Sequence, residues 1–358
     1  MKIVLTGGGT AGHVTPNIAL VPKLRESGYE IEYIGSKAGI EKDIIEAEGI
    51  PYHGVSSGKL RRYLSVKNFA DIFRVARGFG DASAALKKTK PDVVFSKGGF
   101  VIVPVVLAAK LRGIPVVIHE SDITPGLANK IAAPFARAIC TSFPEAADKF
   151  PKKKVYITGS PIRAKLMDGS RLKGLGICGF SGSKPVILVT GGSLGSVKIN
   201  TAVRQTLPVL AKDFDIVHIC GKGNTDMVLD NFGGAYKQFE YVGAELAHVM
   251  QCADIVISRA GANTIFELLA LKKPHLLIPL SKNASRGDQI LNAESFKKQG
   301  FSAVLAEEDL SEDSLANEVG VLYKNRAQYQ KAMSAEAEKD AVEAIVRVIL
   351  EHTKNNVL

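Results

Sequence analysis

A histidine stands directly behind a glycine-rich turn near the start of the chain, in Gly7-Gly8-Gly9-Thr10-Ala11-Gly12-His13. A neutral imidazole titrates near neutral pH and can take a proton from an attacking hydroxyl. A histidine in this place can equally serve structure alone. The turn has the GxGxxG spacing, after an apolar run and before a helical pattern. Such a turn lets the backbone approach a ligand and sets a helix N-terminus against a pyrophosphate. A dinucleotide site also wants an acidic residue closing the second strand. Here Glu30-Ile31-Glu32-Tyr33-Ile34 runs into Gly35-Ser36-Lys37 without one, which argues against a nicotinamide dehydrogenase.

Four further groups of residues could do chemistry. His119 and Glu120 close a predicted strand, and Asp122 stands in the loop after it, where open α/β sheets line their ligand crevice with solvated side chains; a solvated loop with a capping Asp is the alternative. In Arg259-Ala260-Gly261-Ala262-Asn263-Thr264-Ile265-Phe266-Glu267, small residues at a strand-to-helix turn admit a ligand. Glu267, about a turn into that helix, offers a carboxylate to the hydroxyls of a ribose. Gln289 and Asn292 present amides that can read a sugar. Asp213-Phe214-Asp215 spells a metal-binding DxD, but its place before an apolar strand reads as turn chemistry. No metal constellation is expected. The four cysteines, Cys140, Cys178, Cys220 and Cys252, form no CxxC pair and read as buried thiols.

These residues need elements to hold them. Short β-rich apolar runs alternate with helix-period segments, the pattern of parallel α/β sheets. The 358 residues suit two domains. The pattern predicts a strand over Lys2–Thr6 and a helix with Thr15 as N-cap and Pro16 at its first position, ending at Gly28. Arg163 to Lys184 reads as a linker. A second copy of the opening follows: a strand over Pro185–Thr190, the turn Gly191-Gly192-Ser193-Leu194-Gly195, then a helix. Later strands are expected at Ile216–Cys220, Glu240–Val242, Asp254–Ser258 and His275–Pro279. The expected fold is therefore α/β, two Rossmann-like domains facing each other across a cleft, residues 1–163 and 164–339.

The formal net charge of +10 implies an anionic partner. Nucleic acid is not expected, because the aromatics lie mostly in apolar runs and are not interleaved with the charges. The opening apolar run is too short for a signal peptide, and no run approaches the ~20 residues that span a bilayer. Between residues 59 and 79, Lys59, Arg61, Arg62, Lys67, Arg74 and Arg77 surround Leu64, Phe69, Phe73 and Phe79. That mixture suits a helix resting on an anionic membrane, or else a helix whose apolar side is core.

Taken in order, GGTAGH at 8–13, HE at 119–120, PGLANK at 125–130, GSPIR at 159–163, GGSLG at 191–195, RAGANTIFE at 259–267 and the DQxxNAE run at 288–294 resemble a known family. It is the family of bacterial transferases that place N-acetylglucosamine on a lipid-linked muramyl-pentapeptide precursor of peptidoglycan, glycosyltransferase family 28. The resemblance covers almost the whole chain. It implies a glycosyltransferase-B fold, an acceptor- and membrane-binding N-terminal domain, a UDP-sugar-binding C-terminal domain, and a last helix, 340–358, packed back on the first. It implies inverting transfer from UDP-N-acetylglucosamine to the muramyl 4-hydroxyl on the cytoplasmic side of the cell membrane, with no cofactor. His13 or Asp122 would be the base. Thr10, Ala11 and Gly12 would touch donor sugar or acceptor pyrophosphate. Arg163, Ser193, Ala262, Asn263, Thr264, Glu267 and Gln289 would hold the donor, Glu267 at the ribose. Asp122 stands where the family usually carries asparagine, and Phe100 where it often carries tyrosine. Rival readings are a transferase acting on diacylglycerol and a UDP-N-acetylglucosamine 2-epimerase on similar domains.

Overall fold

The computed structural model describes residues 1–58, 67–192, 194–226, 228–229, 232–282, 287–337 and 340–354, with backbone only at Ala11, 67–75 and Ala337. The chain divides into two units, Met1–Arg163 with Asp340–Leu358, and Ala164–Lys339.

The first unit holds β1 (Lys2–Thr6), β2 (Glu30–Ser36), β3 (Tyr52–Val55), β4 (Val93–Ser96), β5 (Val116–Glu120), β6 (Ala138–Thr141) and β7 (Val155–Ile157). They form one sheet in the order β3-β2-β1-β4-β5-β6-β7, parallel throughout. The strands are nearly continuous apolar runs because helices cover both faces. Alternate side chains serve opposite faces. Val4, Val94, Val116 and Ile118 pack against Ile102, Val105 and Val106. Ile3, Leu5, Val93, Phe95 and Val117 pack on the other side with Leu20, Leu24, Ile345 and Ile349. The last two belong to the helix Ala341–Glu351, which lies against the helix Ala11–Glu26. Its end is tied down by Tyr29 Oη and Thr353 Oγ1, 2.5 Å apart, and by Lys354 N–H donating to Asp92 O.

The second unit holds β8 (Val186–Thr190), β9 (Asp215–Ile219), β10 (Tyr236–Phe239), β11 (Ile255–Ser258), β12 (His275–Leu277) and β13 (Ser302–Val304). Their order is β10-β9-β8-β11-β12-β13, again all parallel. In each sheet the chain winds outward on one side and then returns to the other side of its first strand. The reversal falls between β1 and β4 in one unit and between β8 and β11 in the other. Beyond the carboxyl ends of those strands the flanking loops part, which makes each a place for a ligand.

Several local expectations need correction. The first helix begins at Ala11 with Thr10 as N-cap, and Pro16 lies inside it. The glycine turn already bends the chain, and His13 N–H donates to Thr10 O, so Thr15 has no cap to make. The strand expected at Glu240–Val242 lies over Tyr236–Phe239, where Tyr236 and Gln238 point inward. Residues 163–184 are no plain linker, because the helix Arg171–Cys178 packs against the helix Leu246–Cys252. Asp215 of the DxD run opens β9 with its N–H donating to Pro185 O. All four cysteines are buried free thiols. Among the described residues no helix is long and apolar enough to cross a membrane.

Candidate functional site

In the first unit the glycine turn is held from three directions. Tyr33 Oη donates to Gly7 O at 2.8 Å. Asn17 Nδ2 donates to Thr6 O and to His13 O, each at 3.3 Å. The buried Glu41 carboxylate accepts from Ser36 N at 2.9 Å, from Ser36 Oγ, and from Gly9 N at 3.3 Å. The loop after β4 closes on the same turn: a Cβ at Gly99, whose φ is +85°, would lie 2.2 Å from Gly8 O. Only glycine fits there.

This packing decides the state of His13. Its Nδ1 lies 3.0 Å from Gly8 O and 3.1 Å from Thr10 Oγ1. A carbonyl only accepts, so Nδ1 carries the hydrogen and Nε2 keeps the lone pair. Burial holds the ring below the ordinary histidine range and the charge of Lys97 lowers it further, against the pull of the Gly8 hydrogen bond and of Glu41. A half-buried, neutral imidazole with a basic Nε2 is what a general base requires.

His119 and Glu120 are not the solvated pair expected from their place at a strand end. His119 is fully buried and donates from Nε2 to Gly159 O at 2.9 Å, while its Nδ1 accepts from Lys97 Nζ at 2.6 Å. Glu120 is buried and shapes the following loop. It accepts from Ser121 N at 2.9 Å, Asp122 N at 3.1 Å, Gly126 N at 2.9 Å and Asn129 Nδ2 at 2.9 Å. Backbone donors on that carboxylate therefore place Asp122, itself half-buried. Arg163, also half-buried, follows β7 and ends the first of the unit's two segments.

In the second unit a cavity of about 740 Å³ opens over the ends of β8 and β11. Its lining includes Gly191, Gly192, Leu194, Gly195, Lys198, Arg259, Gly261, Thr264 and Gln289. The turn after β8 packs so tightly on the next strand end that a Cβ at Gly195, φ +75°, would lie 1.9 Å from Cys220 O. It leads into the helix Val197–Leu210, whose N-cap Ser196 accepts from Ile199 N. First-turn amides and the helix dipole make this end attractive to anions.

Arg259 opens the RAGANTIFE run, where its residue type alone does not mark it as functional. It is 8% exposed and donates to Ile278 O at 3.1 Å, to Ser196 Oγ at 2.7 Å, and to Glu307. The other oxygen of Glu307 meets Lys198 Nζ at 3.3 Å. Burial would raise this carboxyl, but Arg259 and Lys198 hold it below the ordinary value. The result is a charged tie beneath the glycine turn, with Lys198 mostly exposed above it.

Thr264 and Gln289 line this cavity, whereas Ala262, Asn263 and Glu267 lie on the helix Ala262–Ala270 without lining it. Glu267 is half-buried three residues after Thr264, so it shares that residue's face of the helix. Gln289 Oε1 accepts from Leu280 N at 3.0 Å, which fixes its amide. Asn292 is no sugar reader: fully buried, it donates to Ala260 O at 3.2 Å. Ser193 and the side chain of Ala11 lie outside the described residues, as do residues 59–66 and the side chains of 67–75 in the basic segment. Among the described residues no cluster of acidic, His and Cys side chains could hold a metal.

The glycosyltransferase family 28 N-terminal domain model matches residues 3–141, and the C-terminal domain model of that family matches residues 186–348. A protein of Lachnospira eligens is 59% identical over 353 residues, 99% of either chain, and one of Lachnoclostridium phytofermentans is 58% identical over 350 residues, 98% of either chain. Each is named UDP-N-acetylglucosamine--N-acetylmuramyl-(pentapeptide) pyrophosphoryl-undecaprenol N-acetylglucosamine transferase. Acinetobacter baumannii MurG superposes with a TM-score of 0.75 at 24% identity over 98% of this chain and 99% of that one. A UDP-N-acetylglucosamine 2-epimerase superposes at 0.69 with 14% identity, covering 98% and 94%. The last two likenesses concern the fold alone.

Proposed function

This chain belongs to glycosyltransferase family 28, and from that membership we propose that it transfers N-acetylglucosamine from UDP-N-acetylglucosamine to the 4-hydroxyl of lipid-linked N-acetylmuramyl-pentapeptide. The observation that carries this reading is the full-length identity of 58–59% to relatives that bear the name of this transferase. The epimerase shares only the fold, at 14% identity.

In the proposed reaction the muramyl hydroxyl attacks C1 of the sugar in line as UDP leaves, inverting that carbon. His13 takes the hydroxyl proton on Nε2. The Gly8 carbonyl and the Thr10 hydroxyl on Nδ1 support this role by orienting the ring, and burial keeps it neutral. Asp122 is the alternative base. Thr10, Ala11 and Gly12 would face the donor sugar or the acceptor pyrophosphate. In the second unit the helix beginning at Val197, with Ser193 in the preceding turn, would face the diphosphate. Its dipole, Lys198 and Arg163 would offset the charge that develops on the leaving UDP. Gln289 would meet the sugar, and Ala262, Asn263, Thr264 and Glu267 the nucleoside. A β linkage in the product, read from the anomeric coupling constant, supports inversion, and an α linkage contradicts it.

If Glu267 accepts hydrogen bonds from the ribose, Glu267→Ala should weaken UDP binding by about 1.5–3 kcal/mol. Calorimetric titration checks this, and unchanged affinity would remove Glu267 from the site.

The segment 59–79 would seat the enzyme on the inner face of the cell membrane. Each Lys or Arg near an anionic surface contributes about 1 kcal/mol, and salt screens that contribution. Changing Arg61, Arg62, Arg74 and Arg77 to Gln should reduce sedimentation with anionic vesicles at low salt and leave UDP affinity alone. Equal binding of the unaltered protein to neutral and anionic vesicles would sink this assignment.

A further inference from the structure

Lys97 follows β4 directly and is 1% exposed, although an ammonium is costly to withdraw from water. A hydrocarbon side chain would fill that volume at lower cost. Its Nζ lies 2.6 Å from His119 Nδ1 and 2.6 Å from Ser121 Oγ. It thus joins the end of β4 to the end of β5 and the loop that carries Asp122. The residue after it packs on the candidate base: a Cβ at Gly98 would lie 3.3 Å from His13 Cδ2. The charged and titratable groups acting on Lys97 are Glu120 at the end of β5, Asp122 from the loop after it, and Cys140 from β6, with His119 in direct contact. Those acting on His13 are Lys97 and, with opposite sign, Glu41.

We propose that Lys97 is a positioning residue for proton transfer: its enclosed ammonium pins the ends of β4 and β5 together beside His13 and adds to the effect of burial in disfavouring a charge on that ring. This rests on the reading of His13 as the base. The sign follows from like charges: a charged Lys97 disfavours a second positive charge on His13. Burial pushes Lys97 down to about 7, so its charge is present below neutrality, where His13 would otherwise take up a proton. The acid limb of the pH–rate profile therefore lies lower with Lys97 than without it.

Lys97→Met should move the acid limb of kcat upward by roughly half to one pH unit. The loss should grow as pH falls and be small near pH 8, and Lys97→Arg should return the limb toward its original place. A folded Lys97→Met enzyme with an unmoved limb overturns the proposal. A measurement on the unaltered enzyme stands beside it in case that variant does not fold. The ring carbon signal of His13 in enzyme made with ¹³C-histidine, assigned by its loss in His13→Gln, should show a second small inflection near the titration of Lys97. A single-step curve overturns the coupling. His13→Gln separates the two ideas, because undiminished turnover there defeats the base assignment and so the proposal's premise, whatever Lys97→Met does. Lost turnover there with an unmoved limb in Lys97→Met defeats the Lys97 proposal alone.

Discussion

His13→Ala is expected to lower kcat by about 10²-fold or more while leaving UDP affinity close to that of the unaltered enzyme. The ring's Nδ1 is committed to Gly8 O and Thr10 Oγ1, so only Nε2 is left to take the acceptor's proton. Alanine removes that base and also the tie that holds the glycine turn. His13→Gln retains a donor for Gly8 and so separates the two losses. A turn-holding role predicts recovery in the glutamine variant; a base role predicts none. Single-turnover rates at saturating donor and acceptor make the comparison. A large loss of UDP binding with normal turnover at saturation would make His13 a donor-binding residue instead.

Glu307→Ala should cost the second unit about 3–5 kcal/mol of stability, because it leaves the Arg259 guanidinium buried without its counter-charge. The side chains of Arg259 and Glu307 are only 10% and 3% exposed, so water can do little to compensate. For a unit of this size that loss corresponds to a fall in Tm of roughly 6–20 °C. Arg259 also holds Ser196 Oγ, the cap of the helix that would face the diphosphate, so UDP affinity should fall with it. Replacing both partners, Arg259→Met with Glu307→Leu, should recover much of the Tm and none of the UDP affinity. Calorimetric scans and UDP titrations of the single and double variants test both halves. A Tm unchanged in Glu307→Ala would mean that the pair is solvated and contributes little.

Both glycine turns, Gly7–Gly12 and Gly191–Gly195, were legible from the sequence because strand, turn and helix follow one another within a dozen residues. The partners that make those turns into sites were not. Glu41 reaches Gly9 from 32 residues away and Glu307 reaches Arg259 from 48, and such ties leave no period in the sequence. Lys97 shares this difficulty: nothing beside its two glycines marks it as buried, and the pairing of β4 with β5 and the loop beyond them enclose it. Glu120 was misjudged for the converse reason. A carboxylate at a strand end is ordinarily wet, but the backbone of 121–126 folds over this one. At Thr15 the Pro16 signal for a helix start outweighed the glycine turn four residues earlier. The strand near residue 240 was misplaced because Tyr241 and Val242 make 240–242 the more apolar run, whereas Lys237 and Gln238 mask the strand just before it, which the inward packing of Tyr236 and Gln238 selects. Tyr52–Val55 was not anticipated as a strand, since His53 and Gly54 interrupt its apolar pattern.

In the proposed reaction, sugar leaves UDP only for a muramyl acceptor. UDP release from UDP-N-acetylglucosamine, followed with and without a short-chain lipid-linked muramyl-pentapeptide, tests it most directly. Release is expected to depend strictly on that acceptor and to match the disaccharide product mole for mole. Donor consumption at an equal rate without it, or release that diacylglycerol supports and the muramyl lipid does not, would contradict transfer to the muramyl acceptor.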